Sequence, residues 1–388
     1  MGWIKDWLSE IAKAKEFNAV LMSSIAVIGT MTWIISELVK TEWVSESENN
    51  QSIILAAMVL VLGFCAYLVS NWQKLHRHVF KSKHLFVAMP SLSNEPFHVD
   101  LLNGIIQSSS RKHKVTFWLP PPNSEYTGAA FQEFLTMIEK DSAHYEGGII
   151  LPTVVDHESP EQLVETIEKI KLPIVLVDTL PAIFTKDNEV ISGNKFIGYN
   201  NETGGKLAAK AMYEELKKTQ SKNKNNNKII VLHAEEQLNR HQSFMDNYAQ
   251  YNAEVEFKTF ICGWQRDRAF NQIKAIIDAN QLNNYQGLFA ANDEMAIGAL
   301  EAIQTLCDDQ VIKDSFVIVG YDGTPTAMTL LKLKSMPLKN LVIQNGYNLG
   351  VKAVSLLERT IEDQKNNQAE KSSSPIYIEP EIYKEYFS

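Results

Sequence analysis

The strongest constraint on the fold is a series of short apolar runs that alternates with longer stretches of helical spacing. These runs occupy residues 85–89, 115–119, 148–151, 173–177, 196–198, 228–232, 255–261, 287–291 and 316–319. Short apolar strands separated by helices of about 10–15 residues are typical of βαβ units, whose parallel sheets are covered by helices on both faces. The strands are too numerous for one ordinary open sheet. The sequence therefore predicts an α/β fold with two doubly wound parallel-sheet lobes.

The last two runs each end in a polar side chain. One run stops at Asn292, and Asp293 is suited to cap the helix that follows, because apolar residues then recur at helical spacing. The other run continues into Tyr321-Asp322-Gly323, which is a turn signal. Ligands bind beyond the carboxyl ends of the strands in open α/β sheets. Asn292 and Asp322 are therefore candidate ligand-binding residues, with a helix cap and a turn as the alternative interpretations.

Residues 289–300 and 317–325, which contain these motifs, resemble the periplasmic sugar-binding proteins of the ribose-binding type and the core of the related sugar-responsive repressors. The resemblance extends from about residue 84 to about residue 363. It implies a type I periplasmic-binding-protein-like fold, in which the chain crosses three times between two lobes. A hinge then lets the interlobe cleft close on a ligand. Carried over to this chain, lobe one holds residues 84–198 and 345–374, and lobe two holds residues 199–344 and 375–388.

The resemblance also implies which residues hold the ligand. A sugar presents hydroxyl groups at its edge and a C–H face, so its site needs polar side chains for the hydroxyl groups and aromatic rings that stack on the C–H face. A site of several such groups is selective, because a missing partner leaves a buried polar group without a hydrogen bond. The positions that match the family's ligand-binding residues are Phe97, Asp178, Arg240, Trp264, Asn292, Asp322 and Gln344.

Two positions depart from the family's pattern. His98 stands where the family has a second aromatic residue, and Thr179 stands where it has an arginine. The second difference leaves the identity of the sugar open. Without the resemblance, Phe97 would be interpreted as a core residue, Asp178 as a turn residue and Arg240 as a surface residue.

The first 83 residues have the character of a membrane module. Residues 1–16 place tryptophan, leucine and isoleucine among lysines in the pattern of an amphipathic leader helix. Residues 17–36 and 52–72 contain no charged residue, and each has about the 20 residues needed to cross a hydrocarbon core. A secretory signal is the alternative for the first span, but the leader is long, contains acidic residues and lacks a small-residue cleavage pattern. We expect a transmembrane hairpin of two helices, followed by a basic segment that ends at residue 83.

The distribution of lysine and arginine predicts the orientation of this hairpin. Three lysines precede the first span and four basic residues follow the second, whereas the acidic loop between the spans has only Lys40. The positive-inside rule then places both termini in the cytoplasm. We therefore expect a multi-pass protein of the inner (cytoplasmic) membrane with a cytoplasmic ligand-binding domain. A domain on the periplasmic side is the alternative.

Composition and motifs bear on the class of function. A net charge of -9 disfavours binding to a phosphate backbone, so no nucleic-acid partner is expected. The sequence lacks the common nucleophile, zinc and nucleotide-binding motifs, and its three cysteines have no metal-ligand spacing. Asp178 and Asp322 could form an acid/base pair, but they serve hydroxyl binding equally well. We expect a protein that is not an enzyme and that has no catalytic residue, metal or cofactor.

With catalysis and nucleic-acid binding disfavoured, the sequence indicates a receptor function. A sugar-responsive repressor would carry a helix-turn-helix before the core, where this chain has two predicted membrane spans. The first hypothesis is a membrane-anchored sensor that closes on a monosaccharide, such as a pentose or hexose, and acts within a homo-oligomer through its spans or a partner. The second is a tethered solute-binding component of a sugar transporter. The third keeps the fold but changes the ligand to a nucleoside or a nucleotide-like signal.

Overall fold

The computed structural model describes residues 84–89, 95–110, 113–118, 127–152, 160–219, 227–234, 239–333, 337–366, 368 and 373–383. All of them belong to one compact unit, Lys83–Ser388. The predicted leader and both predicted transmembrane helices lie in residues 1–83, outside the described residues. Within the described ranges, no helix combines the length and the apolar character needed to cross a membrane.

The described residues form strands and helices that largely alternate along the chain. The strands are β1 His84–Ala88, β2 Lys114–Trp118, β3 Gly147–Ile150, β4 Ile174–Val177, β5 Thr185–Lys186, β6 Glu189–Val190, β7 Lys195–Tyr199, β8 Lys228–His233, β9 Glu256–Ile261, β10 Gly287–Ala290, β11 Val317–Asp322, β12 Leu338–Ile343, β13 Ile376–Ile378 and β14 Glu381–Ile382. The helices are α1 Pro96–Ser109, α2 Thr127–Lys140, α3 Pro160–Lys169, α4 Asn201–Thr219, α5 Arg240–Tyr251, α6 Arg266–Asp278, α7 Asp293–Leu306, α8 Gln310–Ser315, α9 Pro325–Leu331 and α10 Gly346–Lys365.

The longer strands build two six-stranded sheets. The first sheet has the order β13-β7-β4-β3-β1-β2 and is parallel throughout. The second has the order β14-β12-β11-β10-β8-β9 and is parallel except for the edge strand β14. Strands β5 and β6 form a separate antiparallel hairpin. Two mainly parallel sheets confirm the predicted α/β fold with two lobes.

Alternating side chains explain why the first sheet is covered on both faces. Leu85 and Val87 of β1 belong to one buried cluster, together with residues of α1 and α10. Phe86 and Ala88 belong to another, together with residues of α2 and α3. Successive side chains of a strand point to opposite faces, so a strand that is buried on both faces reads as a continuous apolar run. That is the pattern from which the strands were predicted.

The chain crosses between the two sheets three times, as the resemblance implies. It leaves the first sheet after β7, returns after β12 and crosses again between β13 and β14. The crossings are tied to one another: the hydroxyl of Tyr199 accepts a hydrogen bond from Asn345 N at 2.8 Å, and Asn200 Nδ2 donates to Glu379 Oε1 at 3.0 Å. These contacts hold three connecting segments together as a hinge.

The last crossing differs from the predicted boundary. All of residues 375–388 were predicted to lie in the second lobe, whereas β13 lies in the first sheet and β14 in the second. The physical reason is that residues 376–378 pair with β7, which would otherwise be the edge of the first sheet, and satisfy its backbone hydrogen-bonding groups. The tail therefore spans both lobes.

Candidate functional site

Four of the predicted ligand-binding residues come together at one edge of the second sheet. Asn292 follows β10, Asp322 ends β11, Gln344 follows β12, and Arg240 begins the helix after β8. Strands β8, β10, β11 and β12 are parallel neighbours, so their carboxyl ends meet at the same edge. All four residues are buried, with exposed fractions of 1–6%. Buried polar side chains are retained where they bind one another or a ligand.

Arg240 is the centre of this cluster. Its guanidinium donates to Ala291 O at 2.7 Å and to Asn201 Oδ1 at 3.0 Å. It also lies 3.5 Å from Asp322 Oδ1 and 3.5 Å from Gln344 Oε1. The first two contacts have ordinary hydrogen-bond lengths, whereas the last two are long. The guanidinium of Arg240 is therefore fixed by the protein at one side, and its contacts with Asp322 and Gln344 on the other side are weaker.

Aromatic rings cover the planar group of Arg240. Its Cζ atom lies 4.1 Å from the centre of the Tyr321 ring and 5.6 Å from that of Trp264. The φ angle of Trp264 is +64°, a left-handed conformation that is uncommon for a bulky residue. The turn Gly263-Trp264 thus directs an aromatic side chain toward the arginine, and Trp264 remains only half-buried. A half-buried aromatic ring beside a polar cluster can stack on the C–H face of a ligand.

Asn292 has two roles that use different atoms. Its Oδ1 accepts from Met295 N at 2.9 Å, which caps helix α7. Its Nδ2 donates to Trp264 O at 3.2 Å and to Glu95 Oε1 at 2.6 Å. The contact with Glu95 joins the second lobe to the first. Asn292 is therefore the helix cap, and the prediction that Asp293 caps this helix is wrong, because Asp293 is the first residue of α7. The amide nitrogen of Asn292 remains directed into the cleft.

Asp322 sits on a strained turn in a buried position. Its φ angle is +108°, which a residue with a side chain rarely adopts, and Gly323 follows at +75°. Burial raises the pKa of the Asp322 carboxyl well above its ordinary value, Arg240 opposes the shift, and Asp293, Glu95 and Asp178 add to it by repulsion.

The first lobe contributes the other two predicted residues. Asp178 ends β4 with a φ angle of +73°, and its Oδ2 lies 3.9 Å from His98 Nε2. Phe97 is 7% exposed and belongs to the apolar core of the first lobe, and its ring meets that of His98 edge-on at 5.8 Å. Phe97 therefore packs against His98, which stands in place of the family's second aromatic residue. Most of the Phe97 ring is covered by the core of the first lobe.

Sequence reasoning missed several residues of this region. Glu95 contacts Asn292, Asn201 holds Arg240, and Tyr321 lies under the arginine and accepts from Gln344 Nε2 at 3.0 Å. Asn201 and Tyr321 could have been found, because they lie at the ends of β7 and β11 and the strand-end rule applies to them equally. Glu95 lies in the segment after β1, where the resemblance matched Phe97, and its contact with Asn292 of the other lobe has no local sequence signal.

Asp293 is a further buried acid, behind the candidate ligand-binding residues. It is fully buried, and its Oδ2 accepts from Thr324 N at 2.6 Å. It therefore holds the turn that carries Asp322. Burial raises the pKa of Asp293 to about 7, and hydrogen bonds from Thr324 oppose the shift. An acid whose pKa is raised in the folded state costs stability as pH rises from its unfolded pKa of about 3.9 through the folded value.

We expect Asp293→Asn to gain stability relative to the wild type as the pH rises from 4.5 to 8. The amide cannot ionise, so the variant avoids a cost of about 1.4 kcal/mol for each unit by which the pKa is raised. Urea unfolding of the purified chain at pH 4.5, 6 and 8 measures the difference. Asp363→Asn, at an exposed position of α10, is the control and should show no such trend. A stability difference between Asp293→Asn and wild type that stays constant over this range would contradict the buried-acid interpretation.

Comparisons with known proteins identify the family of this chain. A family model described as the periplasmic binding protein domain matches residues 85–365. The ribose import binding protein RbsB of Bacillus subtilis (strain 168) is 23% identical over 332 residues, which cover 84% of this chain and 97% of that protein. The ribose import binding protein of Escherichia coli (strain K12) is 23% identical over 287 residues, 73% of this chain and 87% of that one.

Solved structures show the same architecture. A periplasmic solute-binding protein of an ABC transporter from Actinobacillus succinogenes 130z, with bound D-allose, has a TM-score of 0.60 and 21% identity over 78% of this chain and 97% of that one. A LacI family transcriptional regulator from Enterococcus faecium, with bound ribose, has a TM-score of 0.58 and 18% identity with the same coverage. With the predicted two-lobed architecture and a family model that spans most of its length, this chain belongs to the periplasmic binding protein domain family and has a ribose-binding-like fold.

Proposed function

We propose that this chain is a membrane-anchored receptor, and not an enzyme, whose two lobes close on a small polar ligand, in the first place a pentose or hexose. The observation that carries the proposal is the buried cluster of Arg240, Asn292, Asp322 and Gln344, which faces Asp178 of the other lobe. Relatives whose described ligands are ribose and D-allose support a monosaccharide.

Each group has a task in this proposal. Arg240 and Asn292 donate hydrogen bonds to sugar oxygens, while Asp178, Asp322 and Oε1 of Gln344 accept from hydroxyl groups. The Nε2 group of Gln344 is already used, because it donates to Tyr321 Oη and Asn201 Oδ1. Trp264 covers a C–H face, and Phe97 backs the first-lobe side of the cleft. Because these groups belong to two lobes, a ligand that contacts both binds the closed arrangement more tightly and shifts the population toward it. The membrane helices or a partner then receive the change, in our proposal within a homo-oligomer.

Calorimetry on the purified 388-residue chain tests the ligand class. We expect at least one of D-ribose, D-allose, D-galactose and D-glucose to bind, and Asn292→Ser to weaken that binding by about tenfold, because one hydrogen bond to the ligand is lost. A serine at this position still caps the helix, so the loss of affinity measures the contribution of the Asn292 amide nitrogen to ligand binding. Asn271→Ser, at an exposed position of α6, is the matched control. Binding of nucleosides without sugars would favour the third hypothesis, and binding of neither would end the proposal.

Reporters on either side of the membrane test the anchoring. We expect a reporter fused at Ser388 to be active in the cytoplasm and one inserted at Glu48 to be active outside, since basic residues flank the two predicted spans. A cytoplasmic domain would sense an internal ligand, and the transporter hypothesis would fail. A C-terminal reporter that is active outside would instead favour the tethered solute-binding component.

A further inference from the structure

Among the described residues, the cleft brings more acidic than basic side chains together. Glu95 and Asp178 of the first lobe lie on either side of His98, and Glu95 reaches Asn292 of the second lobe. Asp322 of the second lobe lies beside Arg240, with Asp293 directly behind. The carboxyl of Asp322 is attracted by Arg240 and repelled by the other three carboxyl groups. Arg266, at the start of α6, is already held in a two-point ion pair with Glu301. One arginine therefore faces several carboxylates.

Glu95 is the acid whose position is hardest to explain as structural. It precedes helix α1 at the N-cap position, yet its side chain makes no capping hydrogen bond. Its carboxylate instead crosses the cleft to Asn292 Nδ2 at 2.6 Å, and it lies 3.4 Å from His98 Nδ1. A residue that served only the helix would bond the amides of the first turn. Glu95 is thus directed at the same amide that we propose for ligand binding.

His98 can offset only part of this charge. It lies between Glu95, at 3.4 Å, and Asp178, at 3.9 Å. Even when protonated, one imidazolium faces the two carboxylates of Glu95 and Asp178, whereas Arg240 lies against Asp322 at 3.5 Å. The side chains of Glu95 and Asp178 are 16% and 21% exposed. Carboxylates in such a partly desolvated region repel one another, and a cation placed between them relieves this repulsion. An anionic group in the same place would increase it.

We propose that Glu95, together with Asp178, selects a ligand that carries an ammonium group, such as an amino sugar or an aminated polyol. This inference rests on the proposed function and narrows its ligand class. Arg240, Asn292 and Gln344 bind the hydroxyl groups, while the ammonium donates to the carboxylates on either side of His98. The same charge disfavours phosphorylated ligands, which sets the proposal against a nucleotide-like signal.

Calorimetry with matched pairs tests this selectivity in the 388-residue chain. The pairs are D-glucosamine with D-glucose, D-galactosamine with D-galactose, and glucamine with sorbitol; D-glucose 6-phosphate is the anionic probe. In at least one pair, we expect the amine to bind at least about tenfold more tightly at low salt, a factor in the range of desolvated charge pairs. Glu95→Gln should bring this ratio close to one, whereas Glu133→Gln, at an exposed position of α2, should leave it unchanged.

The outcomes separate this inference from the proposed function. If neutral sugars bind as tightly as their amines, or if Glu95→Gln leaves the preference intact, the ammonium assignment is wrong and the receptor for a monosaccharide stands. Tighter binding of the phosphorylated sugar also overturns it. If none of the compounds binds, neither the inference nor the monosaccharide proposal survives.

Discussion

Arg240→Ala is expected to abolish measurable ligand binding and to lower the free energy of unfolding by about 3–5 kcal/mol. The arginine is 5% exposed and bonds Asn201 and Ala291 O. Its removal leaves the buried Asp322 without its counter-charge, in a place where burial already raises the pKa of that carboxyl. We expect affinity to fall by at least about 100-fold, since truncating a buried hydrogen-bonded charge costs about 2–5 kcal/mol.

A second variant separates loss of binding from loss of folding. Arg240→Met combined with Asp322→Asn removes both charges, so we expect it to recover part of the lost stability and still not bind. Arg359→Ala, at an exposed position of α10, is the control and should retain both properties. Urea unfolding and calorimetry with the best-binding sugar provide the two readouts. If Arg240→Ala bound that sugar with unchanged affinity, Arg240 would have only a structural role.

Gly204→Ala is expected to destabilise the chain, although alanine is normally the better helix former by about 1 kcal/mol. A Cβ atom at Gly204 would lie 1.7 Å from Tyr321 Oη and 2.6 Å from its Cζ, which neither group can tolerate. The ring of Tyr321 is fully buried and lies under Arg240, and its hydroxyl accepts a hydrogen bond from Gln344. Overpacking costs about 1–3 kcal/mol, and displacement of this ring also disturbs the arginine, so affinity should fall as well.

Thermal unfolding of Gly204→Ala checks this prediction, and two further variants define its cause. Lys206→Ala, two residues later and exposed, should show little change. Combining Gly204→Ala with Tyr321→Leu should cost less than the sum of the two single changes, because the smaller side chain removes the clash. A Gly204→Ala chain that is as stable as the wild type would mean that helix α4 shifts without cost.

The nine predicted strands correspond to β1–β4 and β7–β11. Among the described strands longer than three residues, only β12 was not predicted, for a physical reason. Buried parallel strands are continuous apolar runs, so the runs that end at Asn292 and near Tyr321 matched β10 and β11 closely. Strand β12 was not predicted, because Lys339 and Asn340 interrupt its apolar run. Its place between β11 and the edge strand β14 leaves these two side chains only partly buried, so polar residues are tolerated there.

What the sequence by itself determined is the part of the site that follows recognisable strands. The strand ends at Asn292 and Asp322 are recognisable locally, and parallel strands end at a common edge, so these two residues converge wherever the fold forms. Gln344 follows the unpredicted β12 and was placed in the site only by the resemblance to the sugar-binding family. The tertiary structure alone decided the contacts across the cleft. Glu95 and Asn292 are 197 positions apart and lie in different lobes, and their meeting at 2.6 Å depends on the three crossings and the hinge. Local patterns carry no information about that arrangement, because it arises from the packing of two separately covered sheets.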